Sequence, residues 1–370
     1  MIEKKGVMTN MQKSNHSTTI FIDTERSVFH FYSMVGNDRS TVVHQVKSYT
    51  AGDFDEAFFR KFREAAEDFV RNTPSRFVRK VTVVLPDRAV LTDTVKIPAM
   101  KGLGQTKKML DVKLGGIYRN YGDLRVITHA MQQNKQYSSF AMAAVQKRIV
   151  SSVYAVCAEN KMLADTLTYA SCAAVCGASL LDPRLKNESY LFLDIKDVCS
   201  RFVFVANGNP VGYYTLPFGF EFLRQPYVIP EQDLFDHSYA SLVLQSARKK
   251  ARREAYAEAL LECDSETKAN VCPDASDSIG TVAQKNFRVF VKWALLLIRE
   301  NKKLTELGRP KFVCVNLPED LGYLTDIANG EEKENGIVFV PLAGGDAAVR
   351  TELELYGGLF PKQIAPTGKF

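Results

Sequence analysis

Two aspartates, each at the end of an apolar run, are the residues of this chain best placed to do chemistry. Asp23 follows Thr19-Ile20-Phe21-Ile22 and opens the polar turn Thr24-Glu25-Arg26-Ser27, ahead of the mostly apolar residues 28–31. Asp194 follows Tyr190-Leu191-Phe192-Leu193 and opens Ile195-Lys196-Asp197-Val198-Cys199-Ser200, ahead of residues 202–205. The two segments read as copies: strand, aspartate, turn, strand, once near the start and again near the middle. Paired turns of this kind can face each other across a cleft and hold a nucleotide's phosphates. Backbone N–H groups then meet the anion, and the aspartates hold water and a divalent cation. On that reading Asp23, Thr24 and Ser27 make one side of a nucleotide site, and Asp194, Lys196 and Ser200 the other.

Such a cradle normally also needs glycine, because a side chain blocks close approach and disfavours positive φ. Neither turn contains one. Glu25, two residues beyond Asp23, would oppose a polyphosphate by on the order of 4 kcal/mol per charge pair at about 4 Å near a surface. Lys196, two beyond Asp194, would attract phosphate instead. The acids are kept and the glycines are absent, which favours an inherited site that does not bind nucleotide tightly over a working ATPase with unusual loops.

The elements that must position these turns alternate. Residues 19–22, 28–34 and 41–48 read as an antiparallel meander. Asp53 and Glu56 read as a helix-capping pair. Phe54, Phe58, Phe62, Ala65 and Phe69 then recur three and four apart, one face of an amphipathic helix. Strands are predicted at 80–85, 90–97, 120–127 and 140–145, with a turn at 132–136 and helices at about 104–114 and 147–160. Residues 164–179, rich in Ala and Cys, read as a tightly packed helix. In the second half, strand 210–216 follows the repeated hairpin. Long helices at about 233–263 and 281–307 flank a polar loop at 264–278. Strand 311–315, a helix after Pro318, strand 337–340 and a last helix end the chain. Such alternation means α/β layers.

Length sets the number of cores: 370 residues is too long for one and implies two domains or three. The net charge of +6 permits contact with anionic partners without arguing for it. Seven cysteines with no CxxC pair read as reduced, buried thiols in a cytoplasmic protein. The longest compact apolar run, Trp293 to Ile298, is far short of the roughly 20 residues that cross a bilayer.

Taken in order, these parts resemble the actin-like ATPase superfamily, and within it the family of the type IV pilus assembly protein PilM and the cell-division protein FtsA. Residues 23–27 fall at the first phosphate loop and residues 194–200 at the second. Val81-Thr82-Val83-Val84-Leu85-Pro86-Asp87, then Val95-Lys96-Ile97-Pro98, is similar to the opening of the subdomain inserted in these families. Gly212 to Gly219 is similar to the strand and turn after the second loop. Residues 312–316 fall at the adenosine motif, where Asn316-Leu317-Pro318-Glu319 stands in place of paired glycines. Tyr356-Gly357-Gly358-Leu359 is similar to a closing helix that packs back onto domain I.

The resemblance implies an actin-like (ribonuclease H-like) two-domain α/β fold with an inserted α+β subdomain. It divides the chain into a disordered leader (1–16), a domain I core (17–76 and 162–185), the inserted subdomain (77–161), domain II (186–345) and a C-terminal helix returning to domain I (346–370). It also implies a cytoplasmic scaffold of a pilus-assembly machine. Such a scaffold would bind an N-terminal peptide of a membrane-anchored partner in a groove between the subdomain and domain I, and would reach the inner face of the membrane only through that partner. With three glycine-poor motifs, Asp23, Thr24, Ser27, Asp194, Lys196, Ser200 and Asn316 become a degenerate nucleotide cleft with no cofactor. The alternative is an active, FtsA-like and filament-forming ATPase holding ATP with Mg. A sugar kinase on the same fold is weaker, as no sugar-binding segment is found.

Other candidates read as structure. Arg248-Lys249-Lys250-Ala251-Arg252-Arg253 lacks the interleaved aromatics of single-strand binders and is taken as a solvated helix face, so no nucleic acid is expected. Gly102 to Lys108 lacks a P-loop's ending. Cys172 and Cys176 lie one helical turn apart with no nearby His, and no metal site is expected. His30, alternating with apolar neighbours, is placed on the solvent face.

Overall fold

Phe54, Phe58, Phe62, Ala65 and Phe69 all turn inward in the computed structural model, which describes residues 16–35, 38–49, 53–73, 80–197, 199–223, 279–331, 336–345 and 347–370. They cover a meander of β1 (His16–Asp23), β2 (Val28–Val35) and β3 (Asp38–Ser48), mostly from helix α1 (Glu56–Asn72). Phe62 meets Phe29 with ring centroids 5.2 Å apart, and Phe69 stacks on Phe31 at 4.8 Å. Each such pair adds about 0.5–1.5 kcal/mol beyond its buried area. The cap of α1 is Asp55, not the expected Asp53 with Glu56. Asp55 immediately precedes the first helical residue, and its carboxylate accepts the Phe58 N–H at 2.8 Å.

Next come β4 (Lys80–Leu85), β5 (Val90–Pro98), α2 (Leu103–Ile117), β6 (Leu124–Gln133), β7 (Tyr137–Gln146), α3 (Lys147–Glu159), β8 (Leu163–Tyr169) and α4 (Ala170–Leu181). The expected helix over residues 164–179 therefore begins as strand and turns helical only from Ala170. Thr166 and Thr168 are β-branched and pair in parallel with Thr82 and Val84 of β4. β1, β4 and β8 run parallel, giving a first sheet of order β3-β2-β1-β4-β8. A separate antiparallel sheet, β5-β7-β6, packs Val95, Ile97, Phe140 and Met142 with Leu110 and Leu114 of α2.

The second half supplies β9 (Tyr190–Ile195), β10 (Ser200–Ala206), β11 (Asn209–Leu216), α5 (Phe220–Leu223), α6 (Ile279–Glu300), α7 (Lys302–Leu307), β12 (Phe312–Asn316), α8 (Tyr323–Glu331), β13 (Val338–Pro341), α9 (Ala347–Thr351) and α10 (Leu353–Gly358). Its sheet, β11-β10-β9-β12-β13, repeats the first strand for strand: a meander, then two parallel neighbours. β9 and β10 are buried along their whole length, as near-continuous apolar runs require. The single helix expected over 281–307 breaks at Asn301, whose side chain bonds the Leu297 carbonyl and accepts from the Tyr214 hydroxyl.

Helix α4 packs against strands of both sheets and against α10. Small residues set that approach. A Cβ on Gly177 would lie 2.5 Å from the Leu353 oxygen, and one on Gly357 would lie 1.9 Å from the Ala173 oxygen. No described helix is long and apolar enough to cross a membrane. Residues 1–15 of the expected leader, the helix at 233–263, the loop at 264–278 and the basic run at 248–253 lie outside the described residues, while His16, the leader's expected last residue, begins β1.

Candidate functional site

Asp23 and Asp194 end equivalent central strands, β1 and β9, so the internal repeat sets their two turns against each other. In an α/β sheet this is where ligands bind, beyond the carboxyl ends of parallel strands. The turns touch directly: Arg26 pairs with Asp197, and the Cys199 thiol meets the Glu25 carboxylate. Pairing with Asp197 and other carboxylates raises the Arg26 pKa above its ordinary value despite partial burial.

The groups that could hold a phosphate are already engaged. Asp23 Oδ1 accepts the backbone N–H of Glu25 at 2.9 Å and of Arg26 at 3.1 Å, so the N–H groups of the first turn point at the turn's own carboxylate. Asp23 Oδ2 lies 3.6 Å from His30 Nε2. Burial would raise the Asp23 pKa, but His30 and the two N–H groups outweigh it and hold the carboxyl below its usual range. Thr24 is half-buried at the cleft. Ser27 adopts a φ of 56°, the left-handed region where glycine would sit without strain.

The second turn is equally occupied. Lys196 Nζ lies 3.4 Å from Asp194, 3.0 Å from Glu354 and 2.8 Å from the Thr351 oxygen. Burial alone would lower the Lys196 pKa, but Asp194 and Glu354 raise it above its ordinary value. The Ser200 hydroxyl donates to the Phe218 oxygen at 2.8 Å. A Cβ on Gly219 would sit 1.9 Å from the Lys196 oxygen, so the following strand's turn rests on this one. Asn316, at the end of β12, donates to Asp194 Oδ1 at 2.8 Å and to the Arg350 oxygen at 2.9 Å. Leu317 is buried, and Arg350 donates to its carbonyl at 3.3 Å.

Several residues escaped the sequence reading. Arg201, on β10, bonds Asp87 at 3.0 Å and Glu354 at 2.8 Å while only 6% exposed. Its signal was a lone charge inside an apolar strand. Glu354, between two leucines of α10, is 3% exposed. Burial would raise its pKa, but the charges of Lys196 and Arg201 carry it down to about 2. Asp87 also accepts from the backbone N–H and the hydroxyl of Ser171, yet burial still leaves its pKa raised. The Tyr213 hydroxyl meets the Asp87 and Val90 oxygens at 2.6 and 2.7 Å. His30 is corrected from solvent to interior: it is 5% exposed and stacks on Phe21 beside Asp23, because β2 is covered on both faces.

The two turns line a cavity of about 710 Å³ that also reaches β5, β11 and α7. Its volume would admit a small ligand, but seven carboxylates line it against four Lys and Arg side chains. Among the described residues no group of three or more His, Cys, Asp and Glu side chains is placed to hold a metal ion. The N–H groups of Glu25 and Arg26 bond Asp23, that of Lys196 bonds the Cys199 oxygen, and the cavity wall is net acidic.

Duplicated sheets of this order, closing on two facing turns, define the actin-like fold, which the chain adopts. The fold is similar over 95% of this chain, and 99% of the other, to a chain of the PilM-PilN type IV pilus biogenesis complex, at 13% identity and TM-score 0.55. MreB5 of Spiroplasma citri bound to ADP matches at 9% identity and TM-score 0.41, covering 95% of this chain and 97% of that one. A Bacteroides thetaiotaomicron protein described as having an actin-like ATPase fold matches at 9% and 0.38, covering 95% and 99%. No protein-family model and no curated protein sequence matches the chain.

Proposed function

We propose that this chain is a PilM-like scaffold of a type IV pilus or related assembly machine, with a degenerate nucleotide cleft. It would bind a peptide of a membrane-anchored partner and reach the membrane through that partner. The observation that carries this reading is the engagement of both phosphate turns with each other and with Lys196, Arg201 and Glu354, where an ATPase would hold its nucleotide. The fold shared with a chain of the PilM–PilN complex supports the choice of system. Domains I and II form the body; of the expected subdomain span 77–161, β4 and α3 belong to the domain I sheet and its core, so partner recognition is assigned to the β5-β7-β6 sheet with α2, residues 90–146. An active ATPase is the second reading, favoured by the retained Asp23 and Asp194 and by the open volume of the cleft.

Affinity capture from detergent-solubilised membranes tests the scaffold. The intact chain should retain a single-pass membrane protein, and a chain lacking residues 90–146, a cut that leaves β4 and α3 in place, should lose it while keeping a cooperative unfolding transition. Undiminished capture by the shortened chain would refute partner recognition through this subdomain.

A further inference from the structure

The twelve residues after α10 do not trail into solvent; they wedge between the β5-β7-β6 sheet and the first five-stranded sheet. The turn Pro366–Gly368 lies against β6 and β7 on one side and β8 and α4 on the other, and it also touches β11. Ile364 is 2% exposed, in the same apolar cluster as Ala143 and Val145 of β7 and Cys172 of α4. Thr367 is 1% exposed. A Cβ on Gly368 would sit 2.1 Å from the Cys172 sulfur, so only glycine passes at that point.

The segment also finishes an edge. β8 is the outer strand of the first sheet, and an outer strand offers unpaired backbone groups to an added extended segment. The Phe370 N–H donates to the Leu167 oxygen of β8 at 2.9 Å, and the Phe370 ring meets Tyr169 edge-on, with centroids 6.4 Å apart. An aliphatic anchor at Ile364, the tight turn Pro366–Gly368, a backbone bond to an edge strand and the Phe370 ring together are how a bound peptide sits in a receptor groove.

We infer that this seam is a peptide-binding groove that the chain's own residues 364–370 fill in the present conformation, so that a partner segment with the same aliphatic–turn–aromatic pattern must displace them. The inference rests on the proposed partner-binding role, and adds that the groove is held by an internal competitor. The partner segment would carry an aliphatic residue, then a Gly where the wall narrows at Cys172, then an aromatic over Tyr169.

The test uses the segment itself as probe. A labelled synthetic peptide of residues 362–370 is titrated into three proteins: the intact chain, a chain ending at Gln363, and the full chain carrying Gly368→Val, which forces the segment off Cys172. Fluorescence anisotropy should show micromolar binding to both altered chains and binding at least tenfold weaker to the intact one, since its groove is filled. Equal binding to all three, or none to an altered chain that still melts cooperatively, overturns the inference. Loss of folding in both altered chains also overturns it, by making the segment part of the core. The membrane capture with the intact chain is independent of this readout, so a failed titration beside a successful capture removes only the competitor and leaves the scaffold standing.

Discussion

Glu354, outside every motif, is the buried acid on which Lys196 and Arg201 converge. It sits between the Lys196 ammonium at 3.0 Å and the Arg201 guanidinium at 2.8 Å, and these charges hold its pKa near 2 against an ordinary 4.5. A carboxylate depressed on folding stabilises fully above its unfolded pKa and loses that contribution as pH falls through its folded pKa. Stability should therefore fall between about pH 4.5 and pH 2, by on the order of 3 kcal/mol for this group. Asp23, also depressed, acts in the same direction; Asp87, raised by burial, acts in the opposite one. Urea midpoints measured from neutrality into this acid range give the comparison. Glu354→Gln should flatten much of the acid limb and also lower stability at neutral pH by about 1–3 kcal/mol, since Lys196 and Arg201 each lose one of two carboxylate partners and keep Asp194 and Asp87. An acid limb unchanged by the substitution would refute this assignment.

At the scale of elements, the cleft depends on how closely α10 approaches α4. Gly177 and Gly357 set that distance, and Gly358 lets the same helix rest on Thr19 of β1. Gly357→Val would drive a side chain into the Ala173 carbonyl and lift α10, taking Glu354 with it. The expected cost is at least the 1–3 kcal/mol, roughly, of an overpacked core. It should appear as a lowered urea midpoint together with loss of the acid limb; an unchanged midpoint would show that the helix contact does not bear on the cleft.

Much of this was legible in the sequence because it is periodic. The phenylalanine stripe of α1 and the apolar runs of β9 and β10 announce their elements and their buried faces. The repeated aspartate turns announce the duplicated sheets. What was not legible depends on partners distant in sequence. His30 looked solvent-facing because alternation says which residues share a face, not what covers it. Residues 164–169 looked helical because alanine composition outweighed the β-branched threonines that pair with β4. Arg201, Glu354 and Asp87 lie far apart in the chain and meet only once both sheets and α10 are assembled.

For the whole molecule, the proposed scaffold role rests on two facing turns held by the protein's own side chains. The turn N–H groups face Asp23, Lys196 faces Asp194 and Glu354, and Arg26 reaches across to Asp197. Calorimetric titration of the intact chain with Mg-ATP tests this most directly. No heat of binding should appear up to millimolar nucleotide, and the melting temperature should not move. Micromolar binding that Asp194→Ala abolishes would contradict the account and restore the active ATPase.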